Sequence, residues 1–239
     1  MAGASVELDN VRFHYEDMHM AFDLAVPAGE LIALIGPSGS GKTTILNLIA
    51  GFERALTGAI GIDGRDVGAL PPAERPVTMV FQEHNLFAHL DVTTNVALGI
   101  SPALRLAPAD RERVAAALAR VGLDGFEQRL PGQLSGGERQ RVALARCLVR
   151  DRPVLLLDEP FAALGPALRR EMLDLVADIH RERAMTVLLV THQPDDARRI
   201  ATRTAFVHAG RILASRPTDE LLGAADIPEL KEYLGVPGL

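Results

Sequence analysis

Three short stretches of the 239-residue chain carry residues whose types and spacing suit phosphate chemistry. In "GPSGSGKT", Gly36 to Thr43, two glycines bracket four residues and are followed by a lysine and a hydroxyl. Glycines let backbone N–H groups turn toward an anion, and a helix opening directly afterwards adds the positive end of its dipole. Lys42 would reach the β- and γ-phosphates of a nucleoside triphosphate, and Thr43 would offer an oxygen to magnesium. In "VLLLDEP" four apolar residues lead into Asp158 and Glu159, so both acids fall at the end of a buried strand, where a parallel sheet places its ligands. Asp158 suits magnesium held through its water shell, and Glu159 is a candidate general base for an attacking water. The third stretch, "LSGGERQRV" from Leu134 to Val142, sets Ser135, Gly136 and Gly137 at what reads as another helix start, a second place for an anion.

The elements that must position these residues are legible as patterns. "SVELDNVRFHY", "AFDLAV", "ELIALIG", "GAIGIDG" and "VTMVFQ" read as strands separated by turns. A helix opens after "ELIALIG", at "GKTTILNLIAG", and Gly51 closes it. From about residue 86 to residue 150 strand signals disappear, and Val114, Leu118 and Val121 share one helical face. "PVLLLDE", the helix "PALRREMLDLVADIHRE" and the strand "MTVLLVTH" follow, with Leu168, Met172, Leu175, Val176 and Ile179 at core spacing on the helix. "FVHAGRILASRPTDELL" reads as a hairpin and a short helix. Strand, helix, strand with fully apolar strands predicts a parallel α/β sheet with a helical insertion.

Composition bounds the rest. Hydrophobic residues make up 48% and charged residues 23%, and the longest apolar runs are strand-sized, so no membrane span is predicted. "MAGASVELDN" lacks a basic region followed by an apolar stretch, so no secretory signal is expected and a cytosolic chain is. The single cysteine, Cys147, reads as core packing on a helix. A net charge of −6 argues against a nucleic-acid surface.

Taken together and in this order, the motifs closely resemble the ATP-binding subunits of ATP-binding cassette (ABC) transporters, over essentially the whole chain. Gly36 to Thr43 matches the Walker A loop, "LLLDE" matches Walker B with its following glutamate, and Leu134 to Glu138 matches the family signature. Gln82 matches the Q-loop glutamine, His192 the switch histidine, and Tyr15 the aromatic residue that stacks on adenine. The resemblance implies an α/β P-loop NTPase with a mixed parallel sheet core, an N-terminal antiparallel β region and a helical insertion, in a single ABC ATPase domain over residues 1–239, with a nucleotide-binding core over 1–85 and 151–239 and a helical signature subdomain over 86–150. It implies ATP and Mg2+ as ligands. Nucleotide contacts would come from Tyr15, Gly36, Pro37, Ser38, Gly39, Ser40, Gly41, Lys42, Thr43 and Thr44, and from Ser135, Gly136, Gly137 and Glu138. Thr43, Gln82 and Asp158 would face the metal, and Glu159, His192 and Gln82 would serve hydrolysis.

In the family two cassettes meet head to tail, so the signature of one chain faces the phosphate loop of the other with ATP between them. The resemblance therefore implies a homodimer, separate transmembrane permease subunits docked near Gln82 and the helical insertion, and, indirectly, a periplasmic substrate-binding protein. It places the chain at the cytoplasmic face of a bacterial inner membrane as a peripheral protein, with no nucleic-acid partner.

The runs "RPVTMVFQEHNLFAHLDVTTNVALGI" and "LPGQLSGGERQRVALARCLVRDRPVLLLDEPFAALGPALR" look close to the ATPase subunits of bacterial thiamine importers, as does the short tail. Iron(III), sulfate, a polyamine or another small solute stay open as cargo, as does an exporter. DNA-repair cassettes split the two halves with a long coiled coil, and no sustained heptads lie between them here. Two positions depart from the family pattern. Glu138 stands where glutamine is usual, and Gly165 where an aspartate usually contacts the partner's Walker A loop.

Overall fold

The computed structural model describes residues 3–15, 18–82, 85–224 and 226–235. In chain order its elements are β1 (Val6–Tyr15), β2 (Met18–Val26), β3 (Leu31–Ile35), α1 (Lys42–Ala50), β4 (Thr57–Ile62), β5 (Arg65–Asp66), β6 (Val77–Val80), α2 (Val92–Ala97) and α3 (Pro108–Arg120). A 3₁₀ turn (Pro131–Gln133) leads to α4 (Gly136–Arg150), β7 (Val154–Asp158), α5 (Pro166–Arg183), β8 (Thr186–Val190), α6 (Pro194–Ile200), β9 (Arg203–His208), β10 (Arg211–Pro217), α7 (Thr218–Leu222) and α8 (Pro228–Leu234). The strands form one sheet in the order β5-β4-β1-β2-β10-β9-β3-β8-β7-β6. Its β6, β7, β8, β3 and β9 are parallel neighbours, while β1, β2, β4 and β5 make an antiparallel end.

Strands β3, β7 and β8 are buried at every position, so both faces of the parallel part must be covered. The two-residue period of a strand divides the labour. Leu31, Ala33, Ile35, Leu155, Leu157, Val187 and Leu189 face a core shared with the helices from α2 onward. Ile32, Leu34, Val154, Leu156, Leu188 and Val190 face α1 and the inner side of β1, β2 and β4. Helix α1 is thereby fixed under the sheet, and with it the loop that precedes it.

The far end of α1 is held by an ionic plug. Gly51 adopts the left-handed conformation that ends the helix, its N–H bonding the Asn47 carbonyl at 2.9 Å. A side chain there would collide with Arg75, which is almost fully buried and donates to the Leu48 and Ile49 carbonyls at 2.5 and 2.9 Å. A cation on the last carbonyls favours the helix dipole, although burial pulls the Arg75 guanidinium below its ordinary range.

Several sequence expectations are refined. The strand expected to run through Gln82 ends at Val80, and the last hairpin is followed by two short helices instead of one. Leu168, read as core, is half-buried, packing against the core at its edge and on Gly137. Val114, Leu118, Val121 and Cys147 are buried as the helical spacing requires. No helix among the described residues is long and apolar enough to cross a membrane.

Candidate functional site

The loop from Gly36 to Gly41 is tight because the backbone passes close to β9. A Cβ on Gly36 would fall 1.9 Å from the Val207 carbonyl oxygen, so only glycine fits. Gly41, at φ 104°, turns the chain into α1 with no side chain capping the helix. Lys42 folds back over the loop, its Nζ donating to the carbonyls of Gly36 (2.9 Å) and Pro37 (2.7 Å). Burial lowers the Lys42 ammonium, while Glu159 and Asp158 pull it back up. An ammonium displaced from two carbonyls onto phosphate oxygens keeps its hydrogen bonds and gains opposite charge.

Parallel pairing of β3, β8 and β7 brings three loops to one edge of the sheet. Asp158 is the last residue of β7 and is buried; the Thr43 hydroxyl donates to its Oδ1 at 3.0 Å. Burial raises the Asp158 carboxyl and the Thr43 bond lowers it in part. Hydroxyl and carboxylate oxygens side by side fit Mg2+, which takes few protein ligands and completes its shell with water and phosphate. No group of three or more His, Cys, Asp or Glu side chains placed to cage a metal occurs among the described residues.

Glu159 sits at φ 44°, a conformation that costs a non-glycine residue about 1–3 kcal/mol and is held here by its N–H bonding the Val190 carbonyl at 3.1 Å. The turn aims its carboxylate at the loop after β8, where His192 Nδ1 lies 3.2 Å from Glu159 Oε2. A carboxylate and an imidazole in contact, beside an anion loop, can take a proton from water and steady the charge that develops.

A cleft of about 850 Å³ opens over this edge, lined by Tyr15, Met18, His19, Ser38 to Thr44 and Glu159. Tyr15 is 56% exposed at its mouth, free to offer a ring face. Gly36 and Pro37 lie beneath the cleft as acceptors for Lys42. Gln82 stands exposed two residues past β6 and does not line the cleft. Nor do Ser135, Gly136, Gly137 and Glu138, which form the start of α4 elsewhere on the chain. There the Ser135 hydroxyl accepts from the Glu138 N–H at 3.3 Å, and the Glu138 carboxylate accepts from the Ser135 N–H at 2.6 Å. The Ser135 N–H, then its hydroxyl, hold the Glu138 carboxyl below its ordinary range.

Sequence reasoning missed two sets of contacts. Gln140, buried on α4, donates to the Pro160 carbonyl next to Glu159 and so ties α4 to the loop after β7. Arg169 of α5 and Asp196 of α6 form a buried ion pair, with Asp196 accepting at 2.7 Å from the Thr191 hydroxyl beside His192. An Arg and an Asp on neighbouring amphipathic helices read as solvated charges in sequence; only the packing of α5 on α6 makes them a pair.

The sequence matches the family described as "ABC transporter" over residues 20–162, more than half of the chain. It is 60% identical to the "Thiamine import ATP-binding protein ThiQ" of Mesorhizobium japonicum over 98% of this chain and 92% of that one, and 54% identical to the protein of that name in Rhizobium meliloti over the full length of both. Among solved structures, a nucleotide-free ATP-binding cassette from an ABC transporter covers both chains fully with a TM-score of 0.86 at 22% identity, which speaks for the fold. The dimeric cassette MJ0796 matches with a TM-score of 0.78 at 30% identity, over 89% of this chain and 98% of that one.

Proposed function

This chain belongs to the ABC transporter family, and we propose that it is the ATP-hydrolysing subunit of a thiamine importer, working as a head-to-tail dimer of cassettes under a separate membrane permease. The observation that carries hydrolysis is the strained Glu159, held against His192 at the edge of a cleft floored by the Lys42 loop. Tyr15 would stack on adenine, and the N–H groups from Ser38 to Thr44 with Lys42 would hold the β- and γ-phosphates. Thr43, Asp158 and Gln82 would hold Mg2+, which neutralises phosphate charge when bound. Glu159 would accept a proton from the water attacking the γ-phosphorus, giving ADP and phosphate, while His192 steadies the γ-phosphate and the Glu159 carboxylate.

The start of α4 lies outside this cleft, which supports a site completed by a second chain. Ser135, Gly136, Gly137 and Glu138 of one cassette would close on the nucleotide of the other, and loss of the γ-phosphate would release them. In this reading residues 86–150 act as the signature subdomain and residues 1–85 with 151–239 as the nucleotide core, within one ABC domain spanning 1–239. The permease would dock on the groove of about 570 Å³ lined by Phe52, Met79, Phe81, Leu98, Ile100 and Pro102, where Phe52 is 53% exposed. The chain would thus sit at the cytoplasmic face of an inner membrane, with thiamine delivered by a periplasmic binding protein that it never touches. Thiamine as cargo rests on the relatives' names.

Reconstitution with a candidate thiamine permease and its binding protein tests this. Thiamine uptake that requires ATP and is abolished by Glu159→Gln is the expected result. ATPase activity that responds to another solute's permease and not to this one would reassign the cargo, and rapid turnover by Glu159→Gln would remove Glu159 as the base.

A further inference from the structure

The last described helix reaches the hydrolytic edge from behind. Leu230 of α8 is fully buried, and the Tyr233 ring packs on Phe206 of β9 with centroids 5.7 Å apart. From that seat the Tyr233 hydroxyl donates at 2.8 Å to the main-chain carbonyl of His192. The phosphate loop meets the same spot. Gly36 abuts Val207, the residue after Phe206, and burial raises the Tyr233 phenol while hydrogen bonding with the Gly36 backbone draws it partly back.

The loop after β8 is therefore gripped on both sides of His192. Thr191 is tied by its hydroxyl to Asp196, the Gln193 N–H donates to Thr191 Oγ1 at 3.1 Å, and the His192 carbonyl is held by Tyr233. The backbone that carries the imidazole is fixed, and the ring is left to reach Glu159.

We propose that Tyr233 is a positioning residue for ATP hydrolysis, setting the His192 loop through its bond to the His192 carbonyl and thereby making the C-terminal helix part of the hydrolytic machinery. This rests on the ATPase reading above, because the residue reaches the reaction through His192. Tyr233 does not line the cleft, and its hydroxyl reaches the His192 carbonyl. Its effect therefore belongs in turnover and not in binding, since a misplaced His192 weakens a contact that matters most in the transition state.

Tyr233→Phe removes one oxygen and keeps the ring on Phe206. In the full-length chain, kcat for ATP is expected to fall about 3- to 10-fold, the worth of one hydrogen bond, with KM for ATP within about 2-fold of wild type and Tm lowered by no more than about 4 °C. On top of His192→Ala the same substitution is expected to have no further effect. An unchanged kcat, or a loss that persists in full without the His192 imidazole, overturns the proposal. Where His192→Ala is too slow to compare, the His192 imidazole NMR signal decides: a shift in Tyr233→Phe supports the role, and an unmoved signal overturns it. Wild-type turnover that Glu159→Gln abolishes keeps the ATPase reading standing even if Tyr233 proves silent.

Discussion

The starts of α1 and α4 are both glycine-rich helix N-termini, yet they are finished differently. Helix α1 opens on the left-handed Gly41 with no side chain capping it, and the nearest cation, Lys42, is the first residue of the helix. Helix α4 opens on a closed capping box in which Ser135 and Glu138 satisfy one another's backbone N–H groups. An uncapped start with a lysine is built to take its negative charge from a ligand; a capped start already has a carboxylate in that role. In the proposed dimer the first would hold nucleotide within one chain. The second would engage the partner's γ-phosphate through the Ser135 hydroxyl hydrogen and the Gly136 and Gly137 N–H groups, which the box leaves open, against the charge of the Glu138 carboxylate already bound to the Ser135 N–H.

The largest expected effect separates the two starts. Lys42→Ala should weaken ATP binding to a single chain by roughly 100-fold, the scale of two charge-assisted hydrogen bonds, as read by a fluorescent nucleotide titration. Ser135→Ala should leave that affinity unchanged while abolishing ATP-driven association, and the lost cap should lower stability by about 1 kcal/mol, or roughly 2–4 °C in Tm. If Ser135→Ala weakens single-chain binding as much as Lys42→Ala does, the two starts are not distinct.

Glu138→Gln sharpens the contrast at smaller cost. Glutamine keeps the capping geometry and removes the charge, so ATP-driven association should tighten several-fold, while neutral-pH stability drops by about 0.3–1 kcal/mol at the helix N-terminus. The pH dependence follows from the lowered carboxyl. Between the folded and ordinary values the unfolded chain binds more protons, so the stabilisation is present above the ordinary glutamate range and is lost as pH falls through the folded value. Thermal melts across that range should show this loss in wild type and not in Glu138→Gln.

The smallest expected effect is at the turn on which α4 rests. Gly165 caps α5 without a side chain, in an extended conformation with open space where a Cβ would stand. Gly165→Asp should therefore add a few tenths of a kcal/mol as a helix cap, and should raise the Hill slope for ATP if the family's usual aspartate links the two sites. A stabilised variant with an unchanged slope would restrict Gly165 to a structural part.

How much of this was readable in the sequence divides along the same line as local and distant contacts. The phosphate loop, the acids ending β7 and the box opening α4 are each set by residues within a few positions, and the alternating cores follow from strand periodicity. The sheet order is not local: β9 pairs with β3 across some 170 residues, and nothing in either segment names the other. Tyr233 is as remote from Gly36, and its role is visible only once α8 is seated on β9. Leu168 misled for the reverse reason, since its helical spacing is that of a core residue, but it lies at the edge and packs on Gly137. Gln82 falls outside the strand that its apolar prefix suggested, because pairing with β7 stops at Val80.

The central claim is that the start of α4 completes a site belonging to another copy of the chain. Sedimentation of Glu159→Gln with and without ATP, beside the same chain also carrying Ser135→Arg, tests it most directly. A two-chain species that appears with ATP and is lost with Ser135→Arg, while both proteins still bind nucleotide, is the expected result. A single-chain species at saturating ATP, or a two-chain species indifferent to Ser135→Arg, would contradict it.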